Sequence, residues 1–96
     1  MLERNEIHRI ALDVARTNLP ASAIKGTAVE PAIGSTGEEI LRITIVIEAD
    51  AVDRISGEST LNTLVQMRKR IREAGDERLP IVEYATEEDL QDSGDP

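Results

Sequence analysis

Residues 40–48 alternate. Leu41, Ile43, Ile45 and Ile47 fall on one side of an extended chain, with Arg42, Thr44 and Glu48 on the other. Period-two alternation in β-branched residues is the pattern of a strand with one dry face and one wetter face. Ile40 and Val46 break the rule, because both are apolar and both lie on the even-numbered side. That side is expected to be partly exposed in a monomer, so Ile40 and Val46 form a candidate interaction face.

Around this strand the period changes. Ile7, Ile10, Ala11 and Val14 recur at helical spacing and predict a helix over residues 3–18. Leu12, Ala15 and Leu19 widen its apolar face, and Leu19-Pro20 ends it, since a residue before proline is pushed out of helical space. Residues 22–30 predict a weaker strand, diluted by Lys25, Gly26 and Thr27 and ended by Pro31. Its small side chains suit a close approach by a helix. Gly34-Ser35-Thr36-Gly37 makes a turn, so this strand and the strong one should form an antiparallel hairpin with a loop near residues 32–38.

Residues 49–58 read as a connector with one helical turn at Val52–Ile55. Ser59 is the expected N-cap of a second helix over residues 60–74. Leu61, Leu64, Val65, Met67 and Ile71 supply its apolar face, and Gly75 stands where a C′ glycine belongs. Pro80-Ile81-Val82-Glu83-Tyr84 predicts a short third strand, and Thr86-Glu87-Glu88-Asp89 a capped turn. Residues 91–96 are expected to be disordered.

The order is therefore α-β-β-α-β. A strand–helix–strand crossover of this length makes the third strand parallel and the connection right-handed. The predicted fold class is α+β, a two-layer sandwich in which two helices cover one face of a three-stranded mixed sheet. Residues 1–85 form the single domain, and residues 86–96 a short acidic turn and tail. The pattern leaves the third strand beside either the first or the second.

Composition narrows the core and the chemistry. Leu, Ile and Val supply 25 of the 96 residues and Phe and Trp none, so the core must be aliphatic. That fraction is above the roughly 20% below which charged chains tend to be disordered. The absence of cysteine excludes disulfides, thiolate catalysis and thiolate-bound zinc. Neither a signal peptide nor a membrane span is expected, and the predicted location is cytoplasmic. The net charge of −8 is concentrated at the end: residues 86–96 hold five of the 19 acids and none of the 11 bases. Net acidity disfavours nucleic acids and anionic membranes without excluding a local basic patch.

One such patch exists. Arg68, Lys69, Arg70 and Arg72 crowd the end of the second helix and are the candidate anion- or partner-binding residues. The ordinary account of them, helix-dipole compensation, a Lys69–Glu73 pair and arginine stems covering the sheet edge, is the favoured one. Facing them, the acidic tail is a candidate gate that folds back over residues 68–72. His8, the lone histidine, lies at the border of the first helix's apolar face with no partner for catalysis or metal binding. Gly57-Glu58-Ser59-Thr60 lacks the lysine of a phosphate loop. Glu48, Asp50, Asp53 and Glu58 lack calcium-loop spacing, and Glu38-Glu39 point to opposite faces.

No catalytic, metal or cofactor constellation emerges. The function expected is that of a non-enzymatic accessory or protein-interaction module, working as a homodimer or as a subunit of a larger assembly. The alternative is a small regulator that binds nucleic acid or another anion through the basic flank of the second helix.

Overall fold

The computed structural model describes residues 1–92. It has the predicted order: α1 (Arg4–Asn18), β1 (Ile24–Ile33), β2 (Glu39–Ile47), α2 (Gly57–Glu73), β3 (Leu79–Ala85) and a short α3 (Glu87–Asp92). Short 3₁₀ turns at Ala21–Ala23 and Ala49–Arg54 carry the connections. The strands lie in the order β1-β2-β3, with β2 antiparallel to β1 and parallel to β3. The undecided third strand thus sits beside the second.

The alternation of β2 does what its chemistry requires. Leu41, Ile43 and Ile45 are completely buried under the helices and Ile47 nearly so. Ile7, Ala11, Val14 and Ala15 of α1 and Met67 and Ile71 of α2 close over them. Each fully buried aliphatic side chain stabilises the fold by roughly 1.5–3 kcal/mol, so this row is the main source of stability.

Several boundaries differ from expectation for identifiable reasons. β1 continues through Pro31 to Ile33. Gly34 N–H donates to the Glu38 carbonyl at 2.8 Å, and the pairing Ala32–Ile40, Pro31–Leu41, Glu30–Arg42 follows from it. The alternation of antiparallel bonding then points the nitrogen of Pro31 away from β2, so no ladder bond is lost. α2 is capped by Ser56, not Ser59: the Ser56 hydroxyl accepts the Ser59 N–H at 3.0 Å. At its other end Gly75 has φ +99°, with Asp76 N–H donating to the Ile71 carbonyl and Gly75 N–H to that of Arg72. This is the paired bonding of a Schellman ending, as the glycine predicted.

Gly26 serves no close helix contact. A Cβ there would meet nothing within 4 Å, and the residue lies next to a bulge that places Lys25 out of register. Thr86 and Asp89 cap α3 reciprocally, each side chain accepting the other's N–H at 3.1 Å. Gln91 and Asp92 are helical, against the expectation of disorder, and residues 93–96 lie outside the described residues.

Candidate functional site

α1 and α2 cover one face of the sheet, and its other face carries Ile40, Arg42, Thr44 and Val46 of β2 with Leu79, Ile81, Glu83 and Ala85 of β3. The expected exposure of Ile40 and Val46 is not found: they are 7% and 9% exposed. β2 is the central strand, so neighbours on both sides shield even its outward residues. The accessible apolar surface has moved to the edge, where Leu79 and Ile81 are 42% and 36% exposed. Arg42 and Glu83 form a cross-strand ion pair at 3.5 Å on the same face.

α2 adds to that edge from above. Its predicted apolar face is only half used, because Leu61 and Val65 are 60% and 56% exposed. Thr63 takes the core position instead, its hydroxyl satisfied by the Ser59 carbonyl at 2.7 Å. The flank of α2 toward α1 is fixed by Gln66, which accepts from Asn18 at 3.0 Å, and by Arg70, which pairs with Asp13 at 3.1 Å. Leu61, Leu64 and Arg68 therefore lie on the opposite flank, over β3, with Val65 and Arg72 next to them at its outer border. Aliphatic side chains from both layers border the β3 edge.

The structure divides the four predicted bases. Arg70 is committed to Asp13 and, with Arg9 and Arg16, lines a shallow groove of about 310 Å³ along the helix pair. Arg68 and Arg72 stand at the start of β3 beside Asp76, Glu77, Arg78 and Leu79. Lys69 is exposed and is not paired with Glu73. Among the described residues Arg68, Lys69 and Arg72 make no salt bridge. Nor does the described part of the acidic segment approach them. Glu87 pairs with Lys25, which also faces Glu48 at 3.7 Å, at the opposite end of the sheet. The two carboxylates raise the pKa of Lys25, Glu87 first.

A feature invisible to pattern reading joins the chain's beginning to β3. Asp76 and Arg78 form a 2.6 Å ion pair with side chains 1% and 10% exposed. Leu2 N–H donates to Asp76 Oδ2 at 3.0 Å, and Arg78 Nη2 donates to the Leu2 carbonyl at 3.2 Å. The guanidinium of Arg78 holds the Asp76 carboxyl well below the usual carboxylate range. A single aspartate and arginine two residues apart give no signal in sequence, because the third partner lies 74 residues away. This clasp forms the floor of an open groove of about 660 Å³, edged by Met1, Glu38, Glu39, Arg72 and Glu77.

His8 bridges the layers, its Nδ1 2.9 Å from Thr27 Oγ1. Glu38 is held by Thr36, which lowers its pKa. Asp50 pairs with Arg54 at 3.6 Å. The Tyr84 hydroxyl is buried beside Thr63, and burial raises its pKa. Among the described residues no three potential metal ligands converge, and no helix is long and apolar enough to cross a membrane. Comparison with protein-family models, curated proteins and solved structures finds no match.

Proposed function

We propose that the chain is a non-enzymatic, cytoplasmic protein-interaction module, a homodimer or a subunit of a larger assembly, that engages through its β3 side. One observation carries the reading. Leu79 and Ile81 from the sheet and Leu61 and Val65 from α2 remain exposed and border the same bare strand edge. Exposed aliphatics scattered singly are ordinary; aliphatics from two layers flanking unpaired backbone groups are an interaction surface. Ile40 and Val46 support it from within the same face.

Val46 is too buried to probe the surface without harming the fold, so Ile81→Asp is the better variant. Sedimentation of the wild-type chain, alone and in cell extract, is expected to show an assembly that Ile81→Asp disrupts. Circular dichroism should stay unchanged. Identical sedimentation of the two chains in both settings would overturn the proposal.

The anion-binding reading keeps one supporting observation: Arg68 and Arg72 stand together without a salt bridge among the described residues. Asp76 and Glu77 share their surroundings and weaken the local field. Polarisation of a labelled oligonucleotide at rising salt discriminates the readings, since phosphate binding falls steeply with salt.

A further inference from the structure

Residues Glu58, Leu61, Val65, Arg68 and Arg72 recur along α2 at spacings that alternate between three and four. Such spacing makes one stripe on a helix, the kind that packs against a second helix. All five residues are exposed. The stripe has a polarity: an acid near the N-terminal end, two aliphatics in the middle, two bases near the C-terminal end. None of its three charged residues forms a salt bridge among the described residues. A stripe of this kind is complementary to a reversed copy of itself.

The sheet below shares that symmetry. Thr63 lies beside Tyr84, and Arg68 stands near Pro80. Val65 is therefore roughly level with Val82, the middle residue of β3. One two-fold axis through this level reverses both layers together. In the sheet it sets two β3 strands antiparallel, with Ile81 of one copy opposite Glu83 of the other. In the helical layer it sets Val65 of the two copies together at the centre, the Leu61 of each beside the aliphatic stem of Arg68 of the other, and Glu58 of each against Arg72 of the other.

We propose that the occupant of the β3 side is a second copy of this chain, docked antiparallel so that the two three-stranded sheets join and Glu58 meets Arg72 across the axis. This rests on the interaction reading of the β3 side and adds to it a partner and a register. The contact is isologous, so each charge pair occurs twice.

A charge-reversal pair tests it. Glu58→Arg alone and Arg72→Glu alone each place like charges at both copies of the contact. Each variant is expected to dissociate at least tenfold more readily than the wild-type dimer in analytical ultracentrifugation, with an unchanged circular dichroism spectrum. An equimolar mixture of the two variants restores both opposite-charge contacts, and a heterodimer should form with near wild-type affinity. A mixture that remains as dissociated as its components overturns the proposal, as does a monomeric wild-type chain or a dimer indifferent to both reversals. If assembly instead stays sensitive to Ile81→Asp, the β3 side remains an interaction surface for another partner. Only the self-docking register then fails.

Discussion

The sheet has two edges, and they are built differently. β1 is guarded. Pro31 turns its nitrogen outward and supplies no donor in mid-strand, and the bulge at Lys25 breaks the regular ladder near the strand's start. β3 carries a proline too, and the nitrogen of Pro80 also faces outward, but Pro80 stands at the strand's start and leaves the outward amides of Val82 and Tyr84 without a partner among the described residues. The strand is flanked by Leu79 and Ile81 below and Leu61 and Val65 above, and α2 ends its free flank with Arg68 and Arg72, which form no salt bridge among the described residues. The start of β3 is also tied to Leu2 through Asp76 and Arg78. The contrast teaches that an open edge in a small mixed sheet is a choice. On the interaction reading proposed above, the edge interrupted in mid-strand is the one closed to a partner, and the apolar flank of β3 is the one that receives it.

The largest effect should come from cutting the anchor. Asp76→Ala leaves a nearly buried guanidinium unpaired and should cost about 3–5 kcal/mol in chemical denaturation. The pH dependence has a definite sign. The folded pKa of Asp76 is depressed, so its contribution is fully present above the ordinary carboxylate value near 4 and is lost only as pH falls through the lower folded value. In the wild type, therefore, this contribution should not vary between about pH 5 and pH 8. A titration of stability across that window, compared with Asp76→Ala, checks it.

Next in size is the asymmetry of the edges. Ile81→Lys should weaken self-association at least tenfold, while Ala32→Lys, on the same sheet face at the guarded edge, should leave it unchanged. Sedimentation velocity on both variants measures the difference. A smaller effect belongs to the tie that holds α1 to the guarded edge. His8→Ala removes its hydrogen bond to Thr27 and should cost about 1 kcal/mol, read from the urea midpoint. The smallest belongs to Lys25. Its carboxylate partners are substantially exposed, so Lys25→Ala should shift the urea midpoint least of these variants, and less still at high salt.

Where one face of an element is buried, the sequence reveals it. The alternation of β2 identified the dry face correctly, and the spacing of Ile7, Ala11 and Val14 identified the seat of α1. Proline and serine misled at the ends because their meaning depends on which way a backbone group points. Pro31 looks like a stop until the pairing shows its nitrogen facing outward, and Ser56 and Ser59 compete for one cap. The site was less legible because it depends on strand order. Only when β2 proves central do Ile40 and Val46 become shielded and Leu79 and Ile81 become the exposed pair. Likewise Leu61 and Val65 look like core until Thr63, with its hydroxyl bonded back to Ser59, is seen to hold the inner position.

The central claim is that β3, and not β1, is the strand that receives a partner. Hydrogen exchange at two protein concentrations, read amide by amide, tests it most directly. The outward amides of β3 and of the α2 flank around Leu61 and Val65 should gain protection as concentration rises, while those of Val29 and Ile33 on β1 exchange at a constant rate. Protection that rises on β1 instead, or on neither strand, would contradict the account.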